Sequence, residues 1–431
     1  MNLKQLSGEF VTLPADWKSA TVEDIGTVIG GATPSREVPA YWDGDIPWVT
    51  PGELTTLHEK FLERTEERIS RAGLDSCGAR LLPPGTLLVT SRATLGLVAI
   101  ASRPTATNQG FKSIVCNPNM DPSFYYHFFK HGTAELVRRA SGTTFLEIPA
   151  HEFRKIGLPV PPLAEQRRIA EILDTVDEAI LGTERIIAKL RQMKQGLLRD
   201  LLACGVDESG ALRDPERHPE QFKDSAVGRL PTAWHVARLV DIVMLPSGQL
   251  DPRLEPYRSW PLIAPDHIEA GTGRLLAKES ASSQGAISGK YAFQAGDVLY
   301  SKIRPYLRKA TLAECEGICS ADMYPLRPGA QVRSRFLLAV ILGEDFSRFA
   351  ESVSMRSGFP KINREELGEY SLGLPDLAEQ DRLGQVLSTF DDRLAHEESL
   401  LSKLRHLKQG LEQDLLTAHV RVTKLLEGDV A

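Results

Sequence analysis

Several absences narrow the reading of this 431-residue chain before any feature of it is considered. Cysteine is sparse: Cys77, Cys116, Cys204, Cys315 and Cys319 are odd in number and scattered. Cys315 and Cys319 form an isolated C-x3-C with no second pair, too little for a zinc site. Reduced thiols in a cytoplasmic setting are expected, not a disulfide framework. No uninterrupted apolar run approaches the roughly eighteen residues a membrane-crossing helix needs, so no membrane partner is expected. The opening MNLKQLSGEF lacks a basic stretch followed by an apolar one, and no signal peptide is expected.

Catalytic signatures are missing as well. There is no G-x-x-x-x-G-K-[ST] phosphate loop, and GGATPSR at Gly30 has no lysine in the required place. H-E-x-x-H, G-x-S-x-G and C-x-x-C do not occur. NPNM at Asn117 lacks the second proline and the aromatic of an amino-methyltransferase loop. His151-Glu152 and His267 read as surface or capping residues. Neither a catalytic nor a metal site is expected, and the chain reads as a binding protein.

A basic excess is also lacking. The net charge is −6, and Lys+Arg against Asp+Glu gives 16 to 17 over residues 1–162 and 7 to 7 over 163–206. It gives 21 to 23 over 207–376 and 7 to 10 over 377–431. A domain gripping nucleic acid unaided is usually strongly basic. Any DNA contact here must rely on local charge clusters or on a partner that supplies phosphate contacts.

What the chain does have is a duplication. Residues 163–206 align with 377–420 without a gap, and 20 of 44 positions are identical. The repeat extends outward more weakly. LPADW ending at Trp17 is echoed by LPTAW ending at Trp234, and IPWVTPGEL (46–54) by WPLIAPDHI (260–268). PPGTLLVTSR ending at Arg92 resembles QAGDVLYSKIR ending at Arg304, and SGTTFLEI from Ser141 resembles SGFPKI from Ser357. The layout is globular unit, helix, globular unit, helix.

The duplicated segments carry an apolar seam whose steps alternate between four and three. In the first copy it runs Ile169, Leu173, Val176, Ile180, Thr183, Ile187, Leu190, Lys194, Leu197, Leu201. In the second it runs Leu383, Leu387, Phe390, Leu394, Glu397, Leu401, Leu404, Lys408, Leu411, Leu415. Eight of ten positions are apolar in each copy, and a period of 3.5 points to a coiled coil. The alternative is two amphipathic helices lying on their own domains. A helix of about 39 residues would be about 58 Å long and outreach such a domain. To bury its seam the second helix must run back along the first, so an antiparallel pair with a pseudo-two-fold axis is expected. That axis could oppose Thr183 and Glu397 as a register-fixing polar layer, or these are merely tolerated polar positions.

The globular units read as mixed α/β (α+β). Short strand-like runs (86–91, 96–102, 297–303) are punctuated by Gly and Pro, and helices are expected over 122–141 and 334–353. The expected domains are 1–162, a central helix 163–206, a linker 207–224 within the polar Gly/Pro-rich stretch 205–232, a second domain 225–376, a C-terminal helix 377–420 and a tail 421–431.

The strings PPLAEQRRIAEILDTVDEAI from Pro161 and LAEQDRLGQVLSTFDDRL from Leu377, with the later KLRQMKQGLLRDLL and KLRHLKQGLEQDLL, resemble the specificity (S, HsdS-type) subunit of type I restriction–modification systems. The resemblance covers the whole length. Asp376 departs from it, standing where a second proline is usual, which puts the start of the second helix in question. The resemblance implies two target-recognition domains, each reading half of a bipartite double-stranded DNA site. It implies helices that set the spacer and dock two methyltransferase (M) subunits and restriction/translocase (R) subunits. S-adenosylmethionine, ATP and Mg would be used by those partners, with no cofactor in this chain. A rod of about 58 Å is comparable to about 17 base pairs at 3.4 Å.

Groove reading needs exposed fork donors and amides. Arg92, Asn108, Gln109 and Lys112 in the first domain and Lys302, Arg304 and Arg308 in the second are the candidates, with plain surface or ion-pair roles as the alternative. Trp42 and Trp48 read as core residues. Arg167, Arg168, Lys194 and Gln195 are candidates for partner docking, or a solvated face. A non-catalytic coiled-coil scaffold with two protein-binding domains is the alternative function, and a complete enzyme with an unrecognised site a third.

Overall fold

The computed structural model describes residues 2–4, 10–92, 94–141, 146–354, 360–423 and 425. The chain divides into two compact units, one of residues 1–185 with 398–431, the other of residues 186–397. Two long helices, Leu163–Cys204 and Leu377–Leu416, contribute to both units. They stop slightly short of the expected ends at 206 and 420.

In the first unit a five-stranded sheet has the order Gly26–Gly30, Phe111–Cys116, Leu87–Thr90, Val98–Ala101, Phe61–Leu62. All its pairings are antiparallel except the last. In the second unit a four-stranded sheet repeats the order: Val243–Met244, Met323–Pro328, Val298–Ser301, Ala310–Leu312. A second sheet accompanies each, three-stranded in the first unit and four-stranded in the second. Ala106 and Thr107 lie parallel to Trp48 and Val49 in the first, as Ile318 and Cys319 lie parallel to Leu262 and Ile263 in the second. The two units are therefore copies of one mixed α/β design, although little of their sequence matches outside the helices.

Two expected helices prove to be pairs. Pro122–His131 and Thr133–Arg139 meet at Gly132, and Ser334–Leu342 and Glu344–Ser354 meet at Gly343. Glycine is the poorest helix former after proline, and the chain turns at it in both units. A Cβ on Gly343 would stand 3.0 Å from the Leu202 side chain, so this break also admits the long helix.

The expected linker is folded. Phe222–Ser225 and Gly228–Pro231 form an antiparallel hairpin, and the Asp207 carboxylate accepts from the Ser209 and Ala211 amides at 2.8 and 3.0 Å. The expected tail starts ordered too, since Arg421 is ion-paired and Val422 is buried. Residues 142–145 of SGTTFLEI and 357–359 of SGFPKI lie outside the described residues.

The second helix starts at the position aligned with the start of the first, Leu377 against Leu163. Asp376 caps this start in place of a proline: its carboxylate accepts from the Glu379 amide at 2.7 Å, the hydrogen bond of an N-cap. The first unit buries Phe124, Tyr125, Phe129 and Phe153 against Ile169, Leu173, Leu415 and Leu416 of the long helices. The second buries Trp234, Phe336, Val340 and Phe346 against Leu201, Leu383 and Leu387.

None of the seam positions is exposed on either helix, while Asp391–Arg393, Ser402–Lys403 and Arg405–Leu407 between them are. Thr183 and Glu397 are both buried; the Thr183 hydroxyl donates to the Ala179 carbonyl at 2.8 Å, and Glu397 pairs with Arg393 at 2.5 Å. In the first unit Arg405 reaches Glu184 at 2.7 Å and Lys408 reaches Asp177 at 2.5 Å. Numbering rises on one segment as it falls on the other, so the two segments run in opposite directions. In the second unit Lys194 pairs with Asp391. This is the Lys408–Asp177 pair over again, since Lys194 aligns with Lys408 and Asp391 with Asp177 in the duplication.

Candidate nucleic-acid interface

The duplicated Leu-Ala-Glu-Gln string is where each long helix is fastened to its domain. In the first unit Gln166 is fully buried; its carbonyl accepts from the Asp121 amide and its amide donates to the Pro161 carbonyl, both at 2.8 Å. In the second, Gln380 accepts from the Arg333 amide at 2.8 Å and donates to the Gln331 and Pro375 carbonyls at 2.9 Å. Asp121 and Arg333 are the N-caps of Pro122–His131 and Ser334–Leu342, the first members of the two glycine-broken helix pairs, so both glutamines grip equivalent backbone.

The neighbouring glutamate closes each unit. Glu165 accepts from the Trp17 indole and from Nε and Nη2 of Arg421, all at 2.8 Å. Glu379 accepts from the Val206 amide at 2.9 Å and from Arg213 at 2.5 and 3.1 Å. Thus the start of one long helix is bound to residues that follow the end of the other, in both units. Arg421 also pairs with Asp16 at 2.6 Å. These partners raise the pKa of the Arg421 guanidinium, and Arg421 lowers that of Asp16.

Four of the seven candidate base-reading residues, Arg92, Lys302, Arg304 and Arg308, lie on equivalent hairpins. Strands Leu87–Thr90 and Val98–Ala101 enclose residues 91–97, and Val298–Ser301 and Ala310–Leu312 enclose 302–309. The backbone corrects the expected alignment by one residue. Ser91 accepts from the Ile148 amide and Lys302 from the Ile362 amide, both at 2.9 Å. Arg92 then bridges Glu147 as Ile303 bridges Lys361, so Arg92 corresponds to Ile303 and not to Arg304. The second loop is one residue longer, which shifted the sequence match.

Arg92 is partly exposed and 3.9 Å from Glu147. Lys112 does not meet the expectation of an exposed loop: it lies in strand Phe111–Cys116, is 9% exposed and faces Glu147 at 3.4 Å. Asn108 folds its own turn, its side chain accepting from the Gly110 amide at 2.8 Å. Gln109 is exposed and accepts from the Thr33 hydroxyl at 2.5 Å. Lys302 lies 5.1 Å over the Tyr324 ring, Arg304 is exposed, and Arg308 is partly so. Trp48 is buried, and Trp42 meets it edge-on at 5.1 Å beneath Arg36, whose guanidinium is 3.8 Å from the Trp42 ring.

Of the docking candidates, Arg167 and Gln195 are exposed, Arg168 pairs with Glu171 at 2.7 Å, and Lys194 turns away from solvent to Asp391. A feature absent from the sequence reading is a set of exposed apolar side chains on the long helices. Ile186 and Met193 on the first are 45% and 47% exposed, Leu400 and Leu407 on the second 38% and 52%. Leu400 and Leu407 are the aligned counterparts of Ile186 and Met193 in the duplication. Among the described residues no cluster of metal-ligating groups occurs, and no helix is long and apolar enough to cross a membrane.

Comparisons with known proteins agree with this duplicated design. The family model of the type I restriction modification DNA specificity domain matches twice, over residues 14–192 and 231–406. The MjaIX specificity subunit of Methanocaldococcus jannaschii is 34% identical over 57% of this chain and 56% of its own length, so the chain spans about half of that relative. The EcoDI specificity subunit of Escherichia coli is 28% identical over 93% of this chain and 87% of its own. A crystal structure of a type I S subunit from M. genitalium superposes with a TM-score of 0.57 at 16% identity, covering 94% of this chain and 98% of that one. A chain from a study of type I complex assembly and conformational transition gives 0.56 at 18% identity, with the same coverage. With two matched domains taking up most of its length, this chain belongs to the type I restriction–modification DNA specificity family.

Proposed function

We propose that the chain is the DNA-specificity subunit of a type I restriction–modification complex in the cytoplasm and has no catalytic activity of its own. Each domain reads one half of a bipartite target in double-stranded DNA. The long helices pair as an antiparallel coiled coil that holds the reading domains at a fixed spacing. Two methyltransferase subunits and the restriction/translocase subunits dock on the complex, and S-adenosylmethionine, ATP and Mg serve those partners. Arg92, Asn108 and Gln109 in one domain and Lys302, Arg304 and Arg308 in the other are the DNA-contacting candidates.

The observation that carries this reading is the matched closure of the two units, Glu165 with Arg421 and Glu379 with Arg213. A duplicated frame with diverged loops suits two readers of different sequences held alike. The near-neutral charge fits a subunit that shares phosphate contacts with partners.

The test removes one heptad from each helix, residues 184–190 together with 398–404, and maps methylation by the reconstituted complex. About 10.5 Å of helix is lost, or about three base pairs. The unread gap should shorten while both half-sites stay unchanged. Changed half-sites with an unchanged gap would overturn the assignment, and a complex without sequence preference would favour a scaffold.

A further inference from the structure

The two reading hairpins differ in a way their shared frame does not require. In the first unit the loop SRATLGL holds one cation, Arg92. Its left-handed position is filled by Gly96, φ +80°, which adopts that conformation without steric cost. In the second unit the loop KIRPYLRK holds four cations and no acid. Here Arg304 and Arg308 both adopt left-handed backbone, with φ +48° and +49°. An L-residue with a Cβ resists that region, and Asp43 and Ala418 are the other two non-glycine cases among the described residues.

The surrounding structure imposes this conformation. The Arg304 amide donates to the Pro360 carbonyl at 2.9 Å, and the Leu307 and Arg308 amides close back on Arg304 and Pro305 at 3.0 and 2.8 Å. The Arg308 carbonyl accepts from the Gly271 amide at 3.1 Å. Pro305 is buried, while Arg304 is exposed and Tyr306 is 53% exposed at the tip of the turn. Strain retained in a rigid, solvent-facing loop suits a loop whose side chains are needed in fixed positions.

We infer that residues 302–309 are the base-reading finger of the second domain, with Arg304 presenting its guanidinium fork to a guanine in the major groove and Tyr306 giving the adjacent apolar contact. This rests on the DNA-specificity reading above. Arginine is the side chain whose paired donors match guanine O6 and N7, and an apolar ring matches a thymine methyl. Lys302 at the base of the finger is suited to a flanking phosphate, while Lys309 braces the finger by donating to the Pro265 carbonyl at 2.7 Å. The equivalent loop of the first domain, with Gly96 at its left-handed position and Arg92 as its one cation, presents no such finger.

The test is R304G, which removes the fork while supplying the residue the backbone prefers, with R304N as a second variant that tolerates left-handed backbone. Each is reconstituted with the methyltransferase subunit, and methylated genomic sites are mapped. The result expected is loss of preference for one guanine in one half-site, by roughly 5- to 150-fold, with the other half-site and the gap unchanged. Thermal unfolding of both variants close to that of the wild type separates lost reading from lost folding. Unchanged half-sites in both variants, or changes in both half-sites, would overturn the finger. A wild-type complex that methylates no bipartite motif would instead overturn the specificity reading itself.

Discussion

The Glu165 carboxylate lies flat against the Arg421 guanidinium, with Nε and Nη2 each 2.8 Å from one of its oxygens. Only 1% of Glu165 is exposed, and its remaining donor is the Trp17 indole. Replacing Arg421 by Met leaves a buried carboxylate with one neutral partner. Breaking such a pair from one side typically costs about 3–5 kcal/mol. Because a quarter of Arg421 faces solvent, a loss of about 2–3 kcal/mol is expected. Denaturant unfolding followed by tryptophan fluorescence measures it. E165Q with R421M should lose less than the two single losses added, because no charge is left stranded. Simple additivity would show that the two side chains are not coupled.

A second expectation concerns Gln166 and Gln380. Each fills its site with both ends of its amide bonded, so leucine of similar size removes hydrogen bonds without opening a cavity. Q166L leaves the Asp121 amide and Pro161 carbonyl without their side-chain partner, and Q380L does so to Arg333, Gln331 and Pro375. At about 1–3 kcal/mol for a buried unsatisfied group, each variant should be about 2–3 kcal/mol less stable. Hydrogen exchange should quicken first at the Asp121 amide in Q166L and at the Arg333 amide in Q380L. Equal loosening of both units in either variant would contradict the separate fastenings.

These fastenings mark how far the sequence could be read. Duplication, helix starts and the seam were legible because they follow a period and recur at aligned positions of the two copies. The role of Glu-Gln within the duplicated string was not, since its partners, Asp121 and Arg421 among them, are remote in sequence. Side-chain direction was illegible for a similar reason. Lys112 carries a charge, yet it sits in a central strand facing Glu147. Lys194 looked like part of an outer face until Asp391 claimed it. The polar stretch 205–232 read as a linker because its order comes from Asp caps and a short hairpin, not from apolar periodicity.

Acid should weaken the first unit in particular. Burial opposes ionisation of Asp174, but hydrogen bonds from His127 and Lys60 outweigh it and hold its pKa below the ordinary value. Burial likewise opposes ionisation of Glu412, and His131 with Lys408 outweighs it. A carboxyl depressed in the folded state adds stability above its unfolded pKa, about 4, and that stability fades as pH falls through the folded value. The corresponding positions in the second unit are Ser388 and Leu198, which do not titrate, and the carboxyls held low there, Asp207, Asp214 and Asp251, lie at the surface, where solvent screens them. Between about pH 5 and 3, Trp17 in the first unit should therefore report unfolding before Trp234 in the second. Single-tryptophan variants would follow each, and simultaneous loss, or earlier loss at Trp234, would refute the assignment.

The last prediction concerns the exposed apolar pairs, Ile186 with Met193 and Leu400 with Leu407. Residues seven apart lie on one helix face about 10.5 Å from each other, and large side chains on such a face gain nothing from water. Their recurrence at aligned positions of the duplication gives one matching patch on each long helix, as two identical partners would need. On the proposed reading with two methyltransferase subunits, replacing Ile186 and Met193 by Glu should remove one of them from the complex, and replacing Leu400 and Leu407 should remove the other. All four changes together should leave the chain alone, with its stability changed by no more than about 0.5 kcal/mol for each exposed position. Mass measurement of the purified assembly distinguishes two, one and no bound partners. Full assembly of the fourfold variant would move the docking face elsewhere, with the exposed Arg167 and Gln195 the next positions to alter.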